Sequence, residues 1–186
     1  MTCHALAAGY TFAVRTASLT LLLCLSTVAL FAESAAGLHW TAPAGWRVTP
    51  PQTMRAATYA VAAAPGDTAA AECAVYFFGA GQGGSVDANL ERWTGQFTSP
   101  SGKPATAIVG KHTAHGVAMT TIDVAGAYSG LGGPMAASKP VPAYRLLGAI
   151  VEGPGGNIFV KFTGPAKTVA ANKAKYDRLL ASFVKN

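Results

Sequence analysis

The strand-like runs of this chain are joined by turns too short to be crossovers, and this limits the fold more than any motif does. Tyr144–Glu152 and Asn157–Phe162 are separated only by Gly153-Pro154-Gly155-Gly156, and Thr106–Thr113 and Val117–Tyr128 only by Ala114–Gly116. Parallel neighbours need a connection of about a dozen residues or more, so each pair reads as an antiparallel hairpin. Upstream, Met54–Ala63 alternates as a strand, Pro65-Gly66-Asp67 is a turn, and Glu72–Phe78 is the most strand-like run, rich in valine and aromatics. His39–Val48 forms two short extended pieces about a Pro43–Gly45 turn, anchored by Trp40 and Trp46 and ended by Pro50-Pro51.

Two segments have helical periodicity. Ser85 has the chemistry of an N-cap, Asp87 complements the helix dipole, and Val86, Leu90, Trp93 and Phe97 form one apolar stripe. Ser99-Pro100-Ser101-Gly102 closes that helix, and Glu91 and Arg92 beside its stripe are expected to pair with strand residues such as Arg55 or Asp123. A last helix opens at Pro165 or Thr168 and carries Val169, Tyr176, Leu180 and Phe183, with Lys173, Lys175 and Arg178 largely off the stripe. The order is β-β-β-α-β-β-β-β-α. It implies an α+β domain, a mainly antiparallel sheet of about six to seven strands with two main helices packed on it. Residues 129–142, rich in Gly and Pro, read as a loop that is either a working surface or a plain connection.

Residues 1–36 read as a secretory signal peptide, leaving 37–186 as a single domain in the periplasm or outside the cell. Arg15 precedes an apolar stretch with no charge until Glu33, and small residues follow, with cleavage after Ala36 or after Ala32. The alternatives are a retained membrane anchor and a lipid anchor on Cys24, although Leu23 stands where such a signal wants a small residue. Cleavage would leave no stable membrane span. Cys73 is then the one cysteine of the mature chain, read as a small buried hydrophobe. The net charge of +6 is spread without like-charged runs, which argues against a nucleic-acid-binding face.

Gly79, Gly81 and Gly84 match the G-x-G-x-x-G spacing of a dinucleotide loop between a strand and a helix. Such a loop also needs a parallel crossover and an acid about 20 residues on. Residues 99–110 hold no acid, and no Lys-Ser or Lys-Thr follows the glycines. The block therefore reads as a capped strand-to-helix connection, with Gly79, Gly81, Gly83, Gly84 and Ser85 as a candidate anion or partner surface. His112, His115 and Asp123, with His39, are the candidates for a metal or hydrolytic centre. On a strand, His112 and His115 would point to opposite faces. No serine lies in a G-x-S-x-G elbow, and Cys73 has no recognisable His or Asn arrangement. The sequence assigns no catalytic residue, no metal ligand and no cofactor.

The chain resembles an uncharacterised family of secreted bacterial proteins. The likeness rests on W-x-A-P-x-G-W at 40–46, MRAATY at 54–59, FGAGQGGSVDANLERWTGQF at 78–97, TTIDVAGAY at 120–128 and YRLLGAIVEGPGGNIFVKFTGP at 144–165. The resemblance carries no activity with it. Its order of elements is similar to the PsbP-like α/β/α sandwich, an analogy of fold that transfers no site. The function expected is that of an exported, non-enzymatic envelope protein that binds a small ligand or a protein partner. The alternative is a small hydrolase or metal-dependent enzyme using His112, His115 and Asp123.

Overall fold

The computed structural model describes residues 32–130 and 139–186. The described residues open with β1 (Ala32–Ala35), β2 (Leu38–Thr41) and β3 (Arg47–Val48), followed by β4 (Arg55–Val61) and β5 (Ala71–Phe77). Helix α1 (Val86–Thr94) leads to β6 (Phe97–Thr98), β7 (Ile108–Ala114), β8 (Val117–Tyr128), β9 (Val141–Gly153) and β10 (Gly156–Pro165). Helices α2 (Ala166–Ala171) and α3 (Lys173–Ala181) and the short β11 (Val184–Lys185) end it. Eight strands form one sheet in the order β3-β4-β5-β10-β9-β8-β6, with β7 also paired to β8, and β1-β2-β11 form a second, three-stranded sheet. Every pairing is antiparallel, as the short turns require.

Strand β10 lies between β5 and β9, and its alternation sorts the core into two layers. Ile158, Val160 and Phe162 join Tyr59, Cys73, Val75 and Val151 in one cluster, which α2, α3 and the small sheet cover through Val169, Tyr176, Leu179, Trp40 and Phe183. Phe159, on the opposite face, joins Ile122, Leu146, Ile150 and Phe97 beneath Trp93 of α1. The small sheet is tied to the large one by a buried polar contact: Trp40 Nε1 donates to the Tyr59 hydroxyl at 2.9 Å. Trp40 also stacks on Phe183, with ring centroids 5.0 Å apart.

The hairpins and apolar stripes match the sequence reading, and four details differ. Phe97 is not on the first helix, and Phe183 is not on the last, since Ser182 caps α3 before it. Gly95 ends α1, and Phe97 pairs with Tyr128 as part of β6, reaching the same core from a strand. The last helix is two, divided at Asn172, whose Nδ2 donates to the Thr168 carbonyl while its Oδ1 accepts from Trp46 Nε1. Asparagine commonly prefers such local bonds to a helix interior. The segment read as the 129–142 loop ends earlier, since β9 begins at Val141, and residues 131–138 lie outside the described residues. Finally, Arg55 pairs with Glu72 and Asp123 with Arg145, so Glu91 and Arg92 take neither expected partner.

The boundary drawn between residues 36 and 37 falls inside the small sheet. Glu33 pairs with Trp40 and Ala35 with Leu38, Ala36 is in the core, and its carbonyl accepts from Gly155 N at 2.8 Å. Cys73 is wholly buried, and burial pushes its thiol well above the ordinary range, as expected of a packing residue.

Trp40 is fully buried, so Tyr59→Phe would strand its indole N–H. The variant is expected to lose about 1–3 kcal/mol in urea unfolding with an unchanged m-value.

Candidate ligand-binding cleft

The glycine block is a structural clamp. Gly79, Gly81, Gly83 and Gly84 have φ values of 104°, 70°, 93° and 83°, a backbone path that L side chains seldom follow. Gly83 is also held by close approach: a Cβ there would lie 2.5 Å from Phe159 Cε2 and 2.9 Å from Phe78 Cδ2. At Gly81 a Cβ would meet open space. Ser85 Oγ accepts from Ala88 N at 3.2 Å and caps α1. Asn89, only 1% exposed, donates through Nδ2 to the carbonyls of Gly83 at 2.9 Å and Ser85 at 2.8 Å. The loop is thus stitched to its helix through carbonyl oxygens.

The histidine candidates are not assembled into a centre. His112 lies on β7 opposite Met119, and His115 sits in the β7–β8 turn with φ of 49°. His39 lies on β2 with Nδ1 3.0 Å from Asn186 Oδ1. Asp123 shares a groove of about 470 Å³ with His112, between the β7–β8 hairpin and α3. Its carboxylate, however, accepts two bonds from Arg145, at 2.8 Å from Nε and 2.6 Å from Nη2. Among the described residues no group of three or more His, Cys, Asp or Glu is placed to hold a metal ion.

A different cluster does converge. Next to the glycine block, a cleft of about 180 Å³ is lined by Tyr76 and Phe78 from the β5 segment, Phe159 and Lys161 from β10, and Asn89, Arg92, Trp93 and Gln96 from α1 and its exit. Strand alternation sets these residues on the α1 side of the sheet, because Phe159 and Lys161 point away from Ile158, Val160 and Phe162. Lys161 Nζ donates to Gln96 Oε1 at 3.2 Å and stands 6.0 Å from the Trp93 ring centroid. Arg92 donates through Nη2 to Asn89 Oδ1, which joins the cleft to the glycine clamp. Tyr76 and Phe78 stack with 12° between their planes, and Arg55, already paired with Glu72, lies 5.2 Å over the Tyr76 ring.

Two cations, Lys161 and Arg92, and no acid line the cleft. Among the described residues the ion pairs are Arg55–Glu72, Arg145–Asp123 and Lys173–Asp177, so neither Lys161 nor Arg92 has a carboxylate within reach. Desolvation, with repulsion from Arg92 and then Arg55, pushes Lys161 down to about 8, and Glu72 opposes only in part. Outside the cleft's lining, Thr163, two residues along the same face of β10, has a buried Oγ1 without a hydrogen-bond partner among the described residues. Sequence reading passed over this cluster. Its one visible signal is the lysine in Ile158-Phe159-Val160-Lys161-Phe162, a charge inside a run that is apolar on both alternating faces.

No protein-family model matches the chain, and no curated protein matches it by sequence. The fold is PsbP-like. Cyanobacterial PsbP from Synechocystis sp. PCC 6803 superimposes with a TM-score of 0.51 at 11% identity, over 84% of this chain and 91% of that one. A protein of unknown function from Pseudomonas aeruginosa, PA94, is similar with a TM-score of 0.47 at 12% identity, over 82% of this chain and 94% of that one. At these identities the likeness concerns the fold alone.

Two outcomes follow from the clamp and the buried amine. Gly81→Ala is expected to cost about 1 kcal/mol, the backbone penalty alone, whereas Gly83→Ala adds overpacking against Phe159 and is expected to cost about 2–4 kcal/mol in urea unfolding. For Lys161, the folded pKa lies below the unfolded one. Below pH 8 the amine is protonated in both states and the burial penalty is fully present. It is lifted as pH rises toward 10.5, because the folded state loses its proton first. Lys161→Met is therefore expected to be more stable than the parent at pH 7, on the order of 2–3 kcal/mol, with the difference shrinking between pH 8 and 10.5 in parallel unfolding curves.

Proposed function

We propose that the protein is an exported, non-enzymatic domain of the cell envelope that binds a negatively charged ligand or partner group in the cleft around Lys161. The observation that carries this reading is the half-buried Lys161, which lines the cleft with Arg92 and is in no ion pair among the described residues. A lysine whose desolvation disfavours its charge, set beside the exposed guanidinium of Arg92, suits an anion that arrives from outside. The glycine surface expected from sequence keeps a part in this reading. It supports the cleft through Gly83 and Asn89.

Two features support the rest. The apolar segment between Arg15 and Glu33 has the composition of a leader. The hydrolytic candidates are dispersed, with Asp123 engaged by Arg145 and His115 in a turn. Of the two cleavage positions, the one after Ala32 would keep Glu33–Ala35 of β1 and the buried Ala36, and the one after Ala36 would remove all of them.

Fractionation of producing cells with intact-mass analysis tests the export half. The expected species is an envelope-fraction protein beginning at Glu33, and an unprocessed chain confined to the cytoplasm would overturn export. A hydrolase screen tests the other half, since turnover abolished by Lys161→Met would replace the binding domain with an enzyme.

A further inference from the structure

We infer that the ligand of the cleft is a small carboxylate with a flat, apolar body, its carboxylate held between Lys161 and Arg92 and its body against Tyr76, Phe78 and Phe159. This rests on the binding reading above and names the chemistry that the site selects.

Size sets the first limit. Drug-sized and cofactor pockets commonly occupy about 300–1,000 Å³, and this cleft has about 180 Å³. A dinucleotide does not fit in that space, whereas a single ring with one charged group does. Charge sets the second limit. Arg92 gives one bond to Asn89 and Lys161 one to Gln96, and the donors that remain suit a carboxylate, for which the planar guanidinium is matched in shape. Arg92 and Trp93 belong to the last turn of α1, and Gln96 lies just past its end, where the helix dipole presents its negative pole. That pole repels any anion, and a phosphate dianion about twice as strongly as a singly charged carboxylate. The walls set the third limit. Four of the eight lining residues are aromatic, and no acid is among them. A very small hydrophilic anion would leave these rings uncovered, so an apolar body contributes to binding.

The test uses benzoate, acetate and inorganic phosphate as probes, titrated into the purified protein by calorimetry, with amide chemical shifts locating the site. Benzoate is expected to bind and to shift Trp93 and Gln96. Acetate is expected to bind at least about tenfold more weakly. Lys161→Met and Arg92→Gln are each expected to raise the benzoate Kd about tenfold or more, the scale of one lost charge-assisted hydrogen bond. The melting temperature of Lys161→Met is measured beside its binding, and a variant folded at the titration temperature shows that its loss of binding is not unfolding. Phosphate or acetate binding as tightly as benzoate would overturn the ligand class and leave the cleft an anion site. Lysine-dependent capture of an acidic protein without any small-anion binding would also overturn the ligand class, while retaining the binding domain. Binding of none of these, by a folded protein whose Lys161→Met variant behaves identically in every assay, would overturn both readings.

Discussion

One nine-residue helix cannot cover one face of this sheet, and the rest of the architecture is arranged around that shortfall. Seven strands side by side span about 29 Å at the usual spacing, while a helix with its side chains is about 10 Å across. On the opposite face the area is shared by α2, α3 and the β1-β2-β11 sheet, which bury Trp40, Phe162 and Tyr176. On the α1 face, Trp93 packs beside Gly148 and Ile122. The cleft opens where α1 and its exit meet β10 and β5. Lys161, Tyr76 and Arg55 thus occupy a surface that a second helix would have had to bury.

Much of this was legible because antiparallel hairpins are local. The turns at Ala114–Gly116 and Gly153–Gly156 set the pairing of four strands without any long-range information. The stripes of Val86, Leu90 and Trp93, and of Val169, Tyr176 and Leu180, likewise reported a core-facing side before the core was known. Phe97 misled because its spacing continued the stripe while Gly95 had already ended the helix, and period alone does not distinguish a helical residue from a strand residue aimed at the same core. The cleft was hidden for a different reason. It draws on residues 76–96 and 159–161, and their meeting depends on β10 inserting between β5 and β9, a pairing of high sequence separation that no local pattern encodes. Only Lys161 left a local trace.

The two arginine–carboxylate pairs show how the fold handles charge elsewhere on its sheet. Arg55 meets Glu72 across the β4–β5 hairpin, and Arg145 meets Asp123 across β8 and β9, each within 2.8 Å. Partnering of this kind neutralises a cation at partial burial with little net effect on stability. Lys161 is the departure from that habit. It has a neutral amide and an aromatic ring where Arg55 and Arg145 have an acid.

Asn89 connects the glycine block to the cleft more closely than position in the chain suggests. Both amide hydrogens hold loop carbonyls and its oxygen holds Arg92, so every polar group of this buried side chain is committed. The guanidinium is thereby indexed to the path of the backbone at Gly83 and Ser85. Insertions or substitutions among residues 79–84 would consequently re-aim a cleft cation without altering most of the residues that line the cavity. Variation in that loop is thus a means of moving the Arg92 guanidinium from outside the cleft, while the strands that frame it stay constant.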